Sequence, residues 1–214
     1  MTYYDPTWRR FADVTLPAPG NHEYATPGAA GYINYFGLGS PLSRVVPYQD
    51  LVPGWDIYQI DTEQWDAAQY TQLAPLLASN PNNCEIVFGH HPRWSSGGHG
   101  DDPSKQELWK LLVDNGVELY LSGHDHDYER FAKMDEDGSR LPTGTRQVVV
   151  GTGGASMRPE GGRASSGTSR VLLTGDENWG VLDLELLPDW YVGQFRRATG
   201  GTGTVADFFA SPCR

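Results

Sequence analysis

All six histidines of the chain lie in four short clusters, and each cluster begins with a glycine. Neutral imidazoles and an amide oxygen form a mixed donor set that suits Zn, Fe or Mn and is too rich in nitrogen for Ca or Mg. A glycine before each cluster lets the backbone turn sharply and approach an ion closely. The pattern predicts a transition-metal centre built from Gly20-Asn21-His22-Glu23, Gly89-His90-His91-Pro92, Gly98-His99-Gly100 and Gly123-His124-Asp125-His126.

Each cluster also has an interpretation without a metal. Asn21 can form an Asx turn, His99 lies in a Gly/Ser loop where it can simply be solvated, and His91 can act only as a hydrogen-bond partner of a ligand. Gly151-Thr152-Gly153-Gly154 lacks the lysine and the following helix of a phosphate-binding loop, which favours a turn at a strand end. The four clusters together, in this order, favour the metal centre.

Short β-branched and aromatic runs predict the strands that position these clusters. Three clusters follow predicted strands, which end at Leu16, Phe88 and Leu121. Ligands of α/β sheets bind beyond the carboxyl ends of strands, so we expect the clusters to converge. The predicted strands are Asp13–Leu16, Trp55–Ile60, Cys84–Phe88, Val117–Leu121, Gln147–Val150, Val181–Leu186 and Tyr191–Phe195.

Two helices are predicted between these strands. Asp61 or Thr62 caps the first, which extends to about Ala78, and Pro75 inside it predicts a kink or an early end. A capping box of Ser104 and Glu107 begins the second.

Asn115-Gly116 then ends the second helix. The alternation of strands and helices is typical of βαβ units. Beyond Gly123 the pattern predicts a second, antiparallel sheet, and the low-complexity stretch Gly151–Ser169 predicts a mobile loop.

Length and composition limit the class of protein. A chain of 214 residues suits one domain. The net charge of −11 disfavours binding to nucleic acid or to a membrane surface. No stretch approaches the roughly 18 apolar residues of a spanning helix, and the first residues resemble neither a signal peptide nor an anchor. Cys84 and Cys213 are either two unrelated thiols or one disulfide that ties the C-terminus to the body.

These clusters, together with Asp127-Tyr128-Glu129-Arg130 after the last of them, resemble the calcineurin-like metallophosphoesterases and, within that family, bacterial proteins similar to purple acid phosphatases. The resemblance implies a four-layer α/β/β/α sandwich that hydrolyses small phosphate monoesters with a metal-bound hydroxide. Two transition metals, Fe, Zn or Mn, form its dinuclear centre. Secretion or a periplasmic location is also implied, with Cys84 and Cys213 then able to pair.

The resemblance also implies a role for each site residue. Asn21, His90 and His124 bind one metal, and His126 binds the other. His22 and His99 contact the phosphate or protonate the leaving group. Arg93 and Arg130 are weaker candidates for substrate contacts.

The sequence departs from the family pattern before residue 20. The family begins with Asp-x-His and Gly-Asp-x-x-Tyr motifs, which supply a bridging carboxylate, and nothing upstream of Gly20 fits them. Four neutral ligands would leave about four positive charges on two divalent ions, which is electrostatically costly. Glu23 and Asp125 are interpreted as residues that orient a histidine or cap a loop.

We therefore expect residues 1–214 to form a single metallophosphoesterase domain whose N-terminal part, with the first two metal motifs, is absent. Loss of the first strands predicts an unpaired sheet edge, exposed apolar surface and fewer bound metals. The alternatives are a non-catalytic metal-binding or interaction remnant, and a phosphodiesterase.

Overall fold

Seven strands form the larger of two sheets in the computed structural model, which describes residues 4–38, 44–79, 84–159, 168–198 and 203–213. Their spatial order is β1-β2-β3-β4-β6-β5-β7. Strands β2, β3, β4 and β6 are parallel to one another, so their carboxyl ends lie at one edge. The strands are β1 (Val46–Val52), β2 (Trp55–Gln59), β3 (Cys84–Phe88), β4 (Leu119–Ser122), β5 (Tyr128–Met134), β6 (Thr145–Val150) and β7 (Ser169–Leu173).

A smaller antiparallel sheet packs on one face of the large sheet. It contains β8 (Gly180–Leu187), β9 (Trp190–Arg197) and β10 (Val205–Pro212) in the order β10-β9-β8. Burial alternates along β8, as expected for a strand with one face towards the core. The core between the sheets includes Trp55, Ile57, Ile86, Leu119, Tyr128, Val148, Tyr191, Phe195 and Phe209.

A disulfide joins Cys84 to Cys213 across a sequence separation of 129 residues. It ties the end of the small sheet to the first residue of β3. Of the two alternatives that the cysteines left open, the structure supports the single disulfide.

The two longer helices cover the other face of the large sheet. The helices are α1 (Tyr4–Thr7), α2 (Ala30–Phe36), α3 (Ala67–Ala78) and α4 (Gln106–Asn115), with short 3-10 turns at Arg9–Val14, Glu23–Ala25, Pro27–Ala29, Pro103–Lys105 and Asp176–Asn178. The core on this face includes Tyr58, Leu73, Leu77, Val87, Leu108, Trp109, Leu112, Tyr120, Phe131 and Val149. Strand β2, between the helices and the small sheet, is buried along its whole length.

The described residues thus supply a helical layer, the large sheet and the small sheet of the expected α/β fold. The outer face of the small sheet exposes Val181 and Phe208 in this part of the chain. Among the described residues, no helix combines the length and apolar character needed to cross a bilayer.

Most predicted strands are confirmed within two residues of their bounds, and Cys84–Phe88 has the predicted bounds. The strand predicted at Asp13–Leu16 is wrong, because Arg9–Val14 forms a 3-10 turn. The residues after it include Pro17 and Pro19, which have no N–H to donate to a neighbouring strand. Strands β1, β5, β7 and β10 were not predicted. Of the loop predicted at Gly151–Ser169, residues 160–167 lie outside the described residues.

The predicted helix starts require two corrections. Helix α3 begins after Asp66, whose carboxylate accepts the Gln69 N–H at 3.0 Å. The Asp61 carboxylate instead accepts the N–H groups of Glu63 and Gln64 in a turn. Despite Pro75, α3 continues to Ala78.

No capping box forms at the second helix. Asp102 accepts the Ser104 N–H at 2.9 Å and so caps the 3-10 turn that precedes α4. The end of α4 is as predicted, because Gly116 has a φ of 80°.

Candidate metal centre

The six residues to which the resemblance assigned metal or phosphate contacts line one cavity of about 390 Å³. They reach it from the loop before α2 and from the loops after β3 and β4, so the clusters converge beyond the carboxyl ends of the parallel strands. Their individual roles stay predictions. The six residues are Asn21, His22, His90, His99, His124 and His126.

The backbone around His90 is fixed by hydrogen bonds from several elements. The N–H groups of His90 and His91 donate to the Thr62 hydroxyl at 2.9 and 2.8 Å. The His90 carbonyl accepts the Gly123 N–H at 2.9 Å, which joins two of the clusters. A side-chain carbon at Gly20 would lie only 2.7 Å from Nδ1 of His90, so glycine allows this close approach.

Asn21, His90 and His124 bring three potential ligand atoms together. Oδ1 of Asn21 lies 2.8 Å from Nε2 of His90, and Nδ1 of His124 lies 3.1 Å from the same nitrogen. His124 has a φ of 66°, a left-handed conformation that is uncommon outside glycine. Such outliers concentrate at functional sites.

Burial keeps two of these imidazoles neutral. It lowers the pKa of His90 to about 4 and the pKa of His124 to about 3, and the neighbouring His91 contributes to both shifts. A metal binds only the neutral form of imidazole. The cavity therefore holds His90 and His124 in the protonation state that a ligand requires.

His91 joins this group through an acidic residue that the sequence analysis missed. Nε2 of His91 lies 2.6 Å from a carboxylate oxygen of Glu63. Ligand atoms of His90, His91 and His124 all lie within 4.8 Å of one another. Glu63 escaped notice because Asp61 and Thr62 were interpreted as a helix start, whereas they belong to the turn after β2.

His99 and His126 complete the wall of the cavity. The His99 ring stacks on His124, with ring centroids 4.1 Å apart, and its backbone N–H donates to Asp125 at 2.9 Å. Nδ1–H of His126 donates to the carbonyl of Ser156 at 3.0 Å, which leaves Nε2 for another partner.

Arg158 is the second residue that the sequence analysis missed. It lines the cavity, and its guanidinium contacts Nε2 of His99. It lies within Gly151–Ser169, where composition predicted only a mobile loop. The sequence around Arg158 is rich in glycine and includes Pro159, so it predicts a loop. It gives no sign that folding brings this arginine to the histidines.

The two arginines proposed from the resemblance do not line this cavity. Arg130 forms an ion pair with Asp207, with nitrogen to oxygen distances of 2.6 and 2.9 Å. Arg93 stacks over the Trp94 ring, and its Nε donates to Gln106 at 2.8 Å. Both residues therefore have structural partners outside the cavity lining, which does not support their assignment as substrate contacts.

The carboxylates near the cavity accept hydrogen bonds from the loops around it, in keeping with the prediction that they orient a histidine or cap a loop. Glu23 accepts the Gly20 N–H at 2.8 Å, and Asp125 accepts N–H and O–H groups of the loop that carries His99. Within the described chain, the group of convergent metal-ligating side chains consists of histidines alone. These donors fit one transition-metal ion well. Because these donors are uncharged ligands, they would not neutralise the positive charge of two metal ions.

Comparison with known proteins identifies relatives of this chain. The family model of calcineurin-like phosphoesterases matches residues 2–128. Purple acid phosphatase 17 of Arabidopsis thaliana is 39% identical over 73 residues, which is 34% of this chain and 22% of that protein. Tartrate-resistant acid phosphatase type 5 of Oryctolagus cuniculus is 42% identical over 72 residues, which is 32% of this chain and 22% of that protein. The match thus spans about a fifth of either relative.

Solved structures share the fold. A purple acid phosphatase from yellow lupin seeds superposes with a TM-score of 0.64 at 22% identity, over 77% of this chain and 32% of that chain. GAP50, the anchor in the inner membrane complex of Plasmodium, gives a TM-score of 0.61 at 20% identity, over 79% of this chain and 53% of that chain. The family model matches more than half of the sequence, and the histidine clusters converge in the matching fold. The chain belongs to the calcineurin-like phosphoesterase family.

Proposed function

We propose that this chain carries the histidine-bearing part of a metal-dependent phosphate monoesterase. The observation that supports this most is the single cavity lined by Asn21, His22, His90, His99, His124 and His126. In the proposal, Asn21, His90 and His124 hold one metal ion and His126 binds a second. Bound metal ions would supply Lewis-acid polarisation of the phosphoryl group.

The chain's own residues would then bind and orient the ester. Arg158 adds a permanent positive charge to the histidine wall, and guanidinium groups suit phosphate oxygens. His22 is exposed at the same cavity, where it can reach an incoming phosphate. In the proposal, His99, next to Arg158, would donate a proton to the leaving oxygen.

We further propose that the first two metal motifs belong to an upstream segment that covers an apolar groove. This groove is a cavity of about 430 Å³. It lies beside β8, which among the described strands pairs only with β9. Its apolar lining includes Trp8, Phe88, Leu121, Val150, Leu182 and Leu184. An added strand would bury this surface and supply the carboxylate that the histidine cluster lacks.

The test compares this chain with a longer version that includes upstream residues. Metal content by mass spectrometry and hydrolysis of p-nitrophenyl phosphate are measured on both. We expect at most one metal ion and slow turnover for residues 1–214, and two ions with fast turnover for the longer protein. Two tightly bound ions with full activity in the short chain would show that local residues replace the bridge.

A non-catalytic role is the second candidate, and one structural neighbour favours it. GAP50 shares the fold and is described as an anchor, so the fold also occurs in a protein with an anchoring role. A remnant of this kind would bind at most one metal and would stay inactive with the upstream segment restored. Hydrolysis of bis-p-nitrophenyl phosphate in preference to the monoester would instead favour a phosphodiesterase.

A further inference from the structure

We propose that a second cavity, at the opposite end of the large sheet, binds a small phosphate-bearing anion. The cavity has a volume of about 300 Å³, and its wall carries five basic side chains, with Ser211 beside them. These side chains are Arg130, Lys133, Arg140, Arg146 and Arg170. The inference is independent of the function proposed for the histidine cavity.

Strand β6 separates this basic cavity from the candidate metal centre. Val150, the last residue of β6, lines the histidine cavity, whereas Arg146, near its start, lines the basic one. Four residues of extended chain correspond to roughly 13 Å. The two cavities are therefore at opposite ends of the same strands.

The charge around the basic cavity is unusual for this chain. Five of its 16 lysines and arginines line one cavity, although the net charge is −11. Arg130 is matched by Asp207 at 2.6 Å. Within the described ranges, Arg146 donates only to neutral groups, the Phe131 carbonyl at 2.9 Å and the Tyr191 hydroxyl at 3.2 Å.

Several positive charges here lack an anionic partner. Among the residues that the structure describes, no carboxylate lies within ion-pair distance of Arg140, Arg146 or Arg170. Like charges held together repel one another, so their proximity costs free energy unless an anion neutralises them. A bound dianion would neutralise most of this excess positive charge.

Part of the wall is held rigidly against the core. The guanidinium carbons of Arg130 and Arg146 lie 5.2 and 5.4 Å from the centroid of the Phe209 ring. Arg146 uses Nε and Nη1 in its hydrogen bonds, which leaves Nη2 available. Arg140 and Arg170 are exposed, so they can close on a ligand from the solvent side.

The chemistry of the wall favours phosphate over carboxylate. The three unmatched guanidinium groups come from different segments: the turn after β5, strand β6 and strand β7. A tetrahedral phosphate presents oxygens in several directions, whereas a carboxylate presents two in one plane. Guanidinium groups pair with phosphate in bidentate fashion. The volume lies at the lower limit of small-molecule sites, which suits a phosphorylated molecule of modest size.

Calorimetry on the full 214-residue chain tests the proposal. The protein is first treated with a chelator, so that phosphate cannot bind through a metal, and is then titrated with inorganic phosphate, glycerol 3-phosphate and succinate. We expect one site that prefers the two phosphates and weakens as salt rises. The exposed double variant R140Q/R170Q should raise the dissociation constant at least about tenfold.

Two controls remove the same kind of charge elsewhere. R9Q/R10Q also loses two exposed arginines, and Arg158→Gln alters the histidine cavity; both should retain the binding. The proposal fails if R140Q/R170Q binds phosphate unchanged, if only Arg158→Gln abolishes binding, if succinate binds as tightly as phosphate, or if the chelated protein binds no phosphate.

Discussion

At the scale of single residues, His124 occupies the centre of the histidine cluster. Its ring centroid lies 4.1 Å from those of His91 and His99 and 5.0 Å from that of His90. Its unusual backbone conformation brings it to a point where three neighbouring rings contact it. A change at this position therefore affects the whole cluster, whereas a change at His99 affects only one wall of the cavity.

This difference predicts distinct effects of two alanine variants in the longer protein proposed above. His124→Ala should lose metal and activity together, because it removes a proposed ligand at the centre of the cluster. His99→Ala should keep its metal and reduce turnover by about 10²–10⁴-fold, the usual contribution of a general acid. Metal analysis and kcat with p-nitrophenyl phosphate are the measurements. Loss of metal from His99→Ala would show that its assigned role is wrong.

Asp127 is a buried carboxyl whose two oxygens lack hydrogen-bond partners within the described structure. Burial, with the nearby Asp125 and Glu129, raises its pKa to about 8. In the unfolded chain an aspartate titrates near pH 4. Between about pH 4 and pH 8 the folded protein holds a proton that the unfolded chain has released, so this residue lowers stability as pH rises.

Asp127→Asn should therefore become more stable relative to the parent as pH rises. From pH 5 to pH 8 we expect a relative gain of roughly 2–4 kcal/mol in the free energy of unfolding, since one pKa unit corresponds to about 1.4 kcal/mol. Urea unfolding at both pH values measures it. Asp114→Asn, at an exposed position of α4, is the matched control. If the free energies of unfolding of the parent and of Asp127→Asn changed equally with pH, this explanation would be contradicted.

At the scale of elements, the sequence predicted best where a strand is a short and mostly apolar run, as in Cys84–Phe88. Strand β3 is buried along most of its length, and its bounds are as predicted. Strand β5 was missed because Glu129 and Arg130 look like surface residues, yet Glu129 accepts bonds from Ser96, and Arg130 pairs with Asp207. Those partners are distant in sequence, so no local pattern indicates that the charges are buried.

Prediction of the candidate site from the sequence also failed where partners are distant along the chain. Clusters led by glycine were visible in the sequence because their residues are adjacent. Glu63 and Arg158 were not visible, because each meets its histidine only after folding, 28 and 59 residues away along the chain. Local patterns located the ligand candidates, and tertiary contacts supplied their partners.

The disulfide between β3 and the end of β10 predicts a stability effect at this scale. Replacing both cysteines in C84S/C213S should lower the free energy of unfolding by about 2–5 kcal/mol, because the unfolded chain loses a long crosslink. Urea unfolding of the parent, with and without reductant, and of the variant measures it. Reductant should not affect the variant. Two free thiols in the unreduced, denatured parent would show that the bond does not form.

At the scale of the whole molecule, the large sheet has chemically different ends. Histidines and Arg158 line a cavity at the carboxyl ends of the parallel strands, and basic residues line another near their amino ends. Beside the histidine cavity lies the apolar groove next to β8. Exposed apolar surface of this extent favours association with another polypeptide segment.

The groove predicts how this chain would differ from the longer protein proposed above. Residues 1–214 should bind the dye ANS, because apolar surface is open to solvent, and the longer protein should bind less. The longer protein should also have a higher urea midpoint, because each Å² of apolar surface that it buries adds about 25 cal/mol to the free energy of unfolding. Dye fluorescence and urea unfolding are measured on both. Leu184→Ser, within the groove, should reduce dye binding, and equal dye binding by both proteins would contradict the prediction.

The disulfide also divides the candidate metal centre in a topological sense. It closes residues 84–213 into a covalent ring that contains His90, His99, His124 and His126. Asn21 and His22 lie on the open tail before that ring. A protease cut inside the ring leaves both pieces attached until reduction, whereas a cut before Cys84 leaves the tail held by non-covalent contacts alone. The centre is thus assembled by docking an open tail onto a closed loop of chain.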